Sequence, residues 1–309
     1  MRKIILIILI FLSFTLLLSC SSAPKQKEEI TDKKIRAAEY TKFGNSYYNQ
    51  GRYNQALQFF TLALNDNISV DNEDGIIRSY NSIGKVYMAV GYDDQAADNF
   101  SRAVVLAEKL EDPILIAQSR TSLAELYLLR GDLDEAEFLL EEAMIGIEEK
   151  DPGQDLAIIY HNMGSLYKKR GMLEEAYDYF QRALEINLNL KQYMEIASNY
   201  YMIASIHSKR GEYVQAREMI DLALSYDKRV EHSLGIGKDL FAKGMIEEKT
   251  GNYQQAYESF EKSFQVYRAM YLDGDAADVL PYLISLAERL GKDEEALGYR
   301  QLQEQLQDR

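Results

Sequence analysis

Residues 160–183 read YHNMGSLYKKRGMLEEAYDYFQRA. Met163, Gly164 and Tyr167 follow Tyr160 by three, four and seven residues, which puts them on one face of a helix. After Gly171, Ala176, Phe180 and Ala183 repeat that spacing. Gly171 separates the two runs, because glycine accepts the positive φ that ends a helix. The stretch therefore predicts helix, tight turn, helix, with small residues at Gly164 and Ala176 where the two helices must approach.

The same unit recurs along the chain. Turn glycines stand at Gly51, Gly91, Gly131, Gly171, Gly211, Gly251 and Gly291, each 40 residues after the last. Five residues beyond each comes an alanine: Ala56, Ala96, Ala136, Ala176, Ala216, Ala256 and Ala296. The first helix carries Tyr40, Tyr80, Arg120, Tyr160 and Tyr200 in one slot. Its small slot holds Gly44, Gly84, Ala124, Gly164, Ala204 and Gly244, followed three residues on by Tyr47, Tyr87, Tyr127 and Tyr167. In the second helix, Phe60, Phe100, Leu140, Phe180, Ile220 and Phe260 share a slot. Self-similarity at such a period is the mark of stacked helical units that bury their faces against neighbours.

The pattern Tyr160-x-x-Met163-Gly164-x-x-Tyr167, then Ala176-x-x-x-Phe180, resembles the tetratricopeptide repeat (TPR) family from about residue 35 to the end. The resemblance implies an all-α, right-handed superhelical solenoid of about seven helix pairs over residues 35–309. The 40-residue period exceeds the family's usual ~34 residues, and the usual late proline is missing. Pro113 and Pro152 instead stand where a helix can begin. The last repeat decays: Ala287 and Arg300 fill its aromatic slots, and residues 293–309 end in a polar tail that suits a cap.

Ahead of the repeats, residues 1–20 read MRKIILIILIFLSFTLLLSC. A basic start precedes an apolar run over residues 4–18, short for a membrane span and suited to a signal-peptide core. It ends in Leu17-Leu18-Ser19-Cys20, which resembles the bacterial lipoprotein signal. That likeness implies cleavage after residue 19, lipidation of Cys20, and, with Ser21 next, an outer-membrane destination facing the periplasm. Cys20 is the one cysteine of the chain, so no disulfide forms within it. Residues 20–34 are polar without an apolar period and are expected to be a flexible tether. The acidic stretch over residues 65–74, NDNISVDNED, lacks calcium-loop spacing and is expected to be a solvated inter-repeat loop.

Charge and motif content bound the chemistry. With 49 acidic and 35 basic residues the net charge is −14, and loss of Arg2 and Lys3 with the leader makes it −16. That acidity argues against nucleic acid and against electrostatic docking on anionic lipid. No P-loop, nucleophile elbow, zinc-protease or dinucleotide motif is present, so no enzyme activity, metal or cofactor is expected. Of the three histidines, His207 sits in a tyrosine slot and is expected in the core, and His232 lies near a repeat boundary.

In the TPR family the first helix of each pair lines a concave groove. The family's ligand-facing positions fall here on Thr41, Asn81, Thr121, His161, Tyr201 and Phe241, and on Asn45, Lys85, Glu125, Ser165, Ser205 and Met245. Tyr201, Phe241 and Met245 would make an apolar patch of the kind that marks partner sites. The carboxylate clamp of chaperone-binding relatives is not matched, since Thr41, Ser82, Gln118 and Ser122 stand where cations are needed. These readings together imply a non-enzymatic protein-interaction scaffold, lipid-tethered in a bacterial envelope, with a protein or peptide partner in the groove. The rival expectations are a peptide or small-molecule receptor associated with a transporter, and a regulatory sensor.

Overall fold

The computed structural model describes residues 23–148 and 153–307. The leader over residues 1–19, Cys20 and Pro152 lie outside them. Among the described residues the chain forms fourteen α-helices: α1 (Ala23–Asn49), α2 (Tyr53–Ser69), α3 (Glu73–Ala89), α4 (Asp93–Leu110), α5 (Pro113–Arg130), α6 (Leu133–Glu148), α7 (Gln154–Lys169), α8 (Leu173–Leu190), α9 (Tyr193–Arg210), α10 (Tyr213–Arg229), α11 (Ser233–Lys249), α12 (Tyr253–Ala269), α13 (Asp273–Arg289) and α14 (Asp293–Gln307). Odd-numbered helices open each repeat and even-numbered helices close it. No described helix is long and apolar enough to cross a membrane. The contacts divide the chain after Gly131, leaving α1–α5 in one unit and α6–α14 in another.

Each pair closes as the sequence predicts. The seven turn glycines all have positive φ, +80° at Gly171, where Met172 N–H donates to the Tyr167 carbonyl at 2.9 Å. Ala56, Ala96, Ala136, Ala176, Ala216 and Ala256 are fully buried. Opposite them, the first-helix glycine touches the second-helix ring: a Cβ on Gly164 would stand 2.8 Å from Phe180. Gly44, Gly84 and Gly244 meet Phe60, Phe100 and Phe260 in the same way. Where the ring is replaced by Ile220, the small residue is Ala204, so total volume is conserved across the contact.

Between repeats lies a second turn that the sequence did not reveal. It is two or three residues long, and one of its residues is left-handed without being glycine: Asp71, Glu111, Lys191, Glu231 and Tyr271, with φ from 51° to 59°. Helix α2 runs to Ser69 and α3 starts at Glu73, so residues 65–69 are helix rather than the expected acidic loop. The reason is burial. Asn67 is 4% exposed, donates to Ser79 Oγ at 3.3 Å and accepts from Asn72 Nδ2 at 2.7 Å, which carries the helix past its polar composition.

A second departure concerns the expected tether. Helix α1 begins at Ala23, so the backbone is helical through most of residues 20–34. From Glu29 to Arg36 no side chain is buried, and packing starts at Ala37. Pro113 begins α5 as expected, with Asp112 as its cap, accepting from the backbone N–H of Ile114 and Leu115 at 2.9 and 3.1 Å. At the other end, Ala296 is the one buried residue among the described side chains of α14.

Candidate functional site

Within the first unit, the two inner series behave differently. Asn45 and Lys85 are exposed and Glu125 is half-buried. Asn81 and Thr121 are buried. Asn81 Nδ2 donates to Ser119 Oγ at 2.9 Å on the next first helix, while its Oδ1 has no partner. Thr121 Oγ1 donates back to the Ala117 carbonyl at 2.7 Å, and Thr41 likewise to Ala37 at 2.9 Å.

In the second unit the same slots lie at the seams between successive first helices. His161 Nδ1 lies 2.9 Å from Asn199 Oδ1, and Asn199 Nδ2 donates to the Glu195 carbonyl at 2.8 Å. A carbonyl cannot donate, so the second bond fixes which end of the Asn199 amide is oxygen. The first bond then requires the proton on His161 Nδ1. Beneath them Asn187 is 2% exposed with an unpartnered Oδ1. Around these groups opens a cleft of about 110 Å³.

One repeat further on, the corresponding positions carry Tyr201, Asp227 and Asp239. Asp239 is 2% exposed and its Oδ2 has no partner. Burial first, and the nearby Asp227 carboxylate second, push Asp239 up to about 8. Asp227 is itself held 3.1 Å from His232 Nδ1. The half-buried Tyr201 phenol is raised by burial and by Asp239. Further along, Phe241 meets Phe260 and Tyr282 edge-on, each at 5.3 Å, and Met245 packs on the same cluster. The three apolar members of the inner ladder are thus partly covered by their neighbours.

At the far ends of the first helices lies a basic group. Lys168 Nζ approaches Met202 Sδ at 3.5 Å, and burial, with Lys209 and Lys169 nearby, pulls it down to about 8. His207, expected in the core, is half-buried at its edge, 2.6 Å from Glu212 Oε2 and edge-on to Tyr177 at 5.6 Å. Among the described residues no group of three acidic, histidine or cysteine side chains could hold a metal. Sequence reasoning missed Asn187, Asn199, Asp227 and Asp239. For Asn199 and Asp239 a signal was present: the series Ser79, Ser119, Ile159, Asn199, Asp239, Val279 puts four polar residues among six at one buried slot.

Tetratricopeptide repeat profiles match residues 40–65, 75–144, 155–229 and 240–269. The chain is a tetratricopeptide repeat protein. No curated protein matches this TPR chain in sequence. Several solved structures share its fold. The Rap conjugation gene regulator of plasmid pLS20, in complex with the Phr* peptide, aligns with TM-score 0.68 and 18% identity over 94% of this chain and 79% of that one. A Rap protein complexed with Competence and Sporulation Factor aligns with TM-score 0.67 and 18% identity, covering 89% and 75%. Aspartyl phosphate phosphatase F from Bacillus subtilis gives TM-score 0.63 and 18% identity, covering 91% and 73%. Identities this low show a common fold. The repeat family supports a protein-interaction scaffold.

Proposed function

We propose that this TPR protein is a non-enzymatic scaffold that holds a peptide or protein segment against the first helices of its second unit, tethered through lipid on Cys20 to a bacterial envelope membrane. The observation that carries the binding reading is the pair of seams at Asn187/Asn199 and Asp227/Asp239. Each leaves one deeply buried oxygen without a hydrogen-bond partner. Unsatisfied buried polar groups are costly and rare, so each calls for a partner that completes it. The Rap regulator bound to the Phr* peptide favours a peptide as occupant, which keeps a peptide receptor associated with a transporter as the second reading. The phosphatase neighbour shares the fold at 18% identity, and the seams of this chain offer no nucleophile placed beside a base.

The test is cross-linking in the native envelope followed by mass spectrometry, comparing wild type with the Tyr201→Ala/Phe241→Ala double variant. Loss of a partner by tenfold or more, equivalent to ~1.4 kcal/mol, with an unchanged thermal melt supports the groove. A folded double variant that keeps every partner refutes it. Incorporation of labelled fatty acid into wild type but not into Cys20→Ala tests the tether.

A further inference from the structure

The cleft at the seam of α7, α8 and α9 has a definite polarity. Asn199 is engaged at both ends: its oxygen accepts from His161 and its amide donates to the Glu195 carbonyl. The oxygen of Asn187, 2% exposed, lacks a donor. Glu195 lines the same cleft and is half-buried, with no cation among the lining residues to pair its carboxylate. The fully buried atom that lacks a bond is thus an acceptor, and the one charged side chain of the lining is an anion. Ala157 and Ile158 supply a carbon wall beside them. The volume of about 110 Å³ is well above the ~10–15 Å³ that admits a single water. That is enough for one charged head and a short stem, and too little for a folded segment.

We propose that this cleft is a subsite for a primary ammonium group on a short alkyl stem. The ammonium has three donors and no acceptor, which complements the Asn187 oxygen and the Glu195 carboxylate. The methylene stem lies along Ala157 and Ile158. The proposal deepens the groove reading and rests on it: the segment that enters brings either a lysine side chain or its own amino terminus to this seam. An ion pair at a half-buried carboxylate gives charge selectivity, while the apolar wall rejects hydrated inorganic cations, which keep their water.

The test uses the full chain in detergent, titrated with n-butylammonium chloride and followed by thermal melting and by the His161 ring resonances. So small a ligand binds weakly, so saturation is sought up to about 100 mM. A saturable rise in Tm with butylammonium, absent with n-butanol and with tetramethylammonium, supports the site. Nα-acetyl-lysine methylamide and alanine amide then separate a side-chain ammonium from an amino terminus. Glu195→Gln, at a half-buried position that leaves the fold intact, should weaken binding by about tenfold. Asn187→Leu should abolish it. Equal response to butanol, no saturable response, or binding unchanged in Glu195→Gln overturns the proposal. Failure of butylammonium while cross-linked partners persist removes this subsite alone. Loss of partners in the Tyr201/Phe241 variant is a separate matter, since neither ring lines the cleft.

Discussion

At residue scale the glycine against the ring shows how closely the pairs are fitted. Gly164→Ala would gain ~1 kcal/mol of helix propensity, yet its Cβ would stand 2.8 Å from Phe180. Overpacking at ~1–3 kcal/mol outweighs the gain, so the variant should melt below wild type. Adding Phe180→Ile recreates the Ala204/Ile220 combination of the next repeat and should recover most of the loss. A double variant no better than the sum of the singles, in a denaturant titration, would refute volume matching. Asp239 gives a second test. Its carboxyl is raised to about 8 by burial and by Asp227, with Tyr201 and Tyr267 also facing it. Below pH ~4 the folded and unfolded chains both keep the proton, so it costs nothing there. As pH rises from ~4 to ~8 the unfolded chain releases the proton and the folded one does not, so stability falls across that window. Asp239→Asn should therefore raise Tm at pH 8, on the order of 1–3 kcal/mol, with the gap closing toward pH 4. A pH-independent difference in the melts would show that Asp239 does not titrate in this way.

At the scale of elements, the two turns of each repeat are built unequally. The turn inside the pair uses glycine, where a left-handed residue carries no Cβ penalty. The turn between pairs places Asp71, Glu111, Lys191, Glu231 or Tyr271 in that conformation, and a side chain there costs ~1–2 kcal/mol. Tyr271 is the clearest case, being 89% exposed and aromatic. Tyr271→Gly removes the strain, offset by glycine's extra freedom in the unfolded chain, and should stabilise by ~0.5–1 kcal/mol. A lower urea midpoint for the variant would contradict this. Helix pairs are also strapped by arginines just before the turn glycine: Arg170 to Asp134 and Glu137 at 2.6 and 2.7 Å, and Arg210 to Glu174 at 2.8 Å. Each strap reaches back to the second helix of the preceding repeat. Such pairs contribute ~0–1 kcal/mol each, so they bias register more than they hold the stack together.

At the scale of the molecule, stability in a stacked array depends on how many neighbours a repeat has. Ala176 is fully buried among Phe180, Leu184, Ile196 and Ile203. Ala296 is buried on one side of α14, whose other described side chains are not. Ala176→Leu should thus cost ~1–3 kcal/mol and Ala296→Leu distinctly less. Equal losses in parallel melts would argue that the last repeat is packed as tightly as the middle of the unit. The buried acceptors at the seams act in the opposite sense. They subtract from stability, and a donor-bearing ligand that restores the missing bonds should raise Tm by mass action.

Periodicity is a local property, and it was enough to determine the helix pairs, the seven glycine turns, the alanine contacts and the family. Residues three, four and seven apart share a face whatever lies beyond them. The inter-repeat turn was illegible because five different residues serve it, each held left-handed by helices packed on both sides rather than by its own preference. The helical course of residues 65–69 was hidden for the same reason, since the burial of Asn67 overrides a polar composition. The ladder residues lie on the first helices, but their environment was not readable. Asn81 reaches Ser119 and His161 reaches Asn199, each across 38 residues, because neighbouring first helices stack at that offset. Only the stacked structure brings Asn187 under Asn199 and sets Asp227 beside Asp239, where low dielectric turns ordinary polar side chains into unsatisfied acceptors.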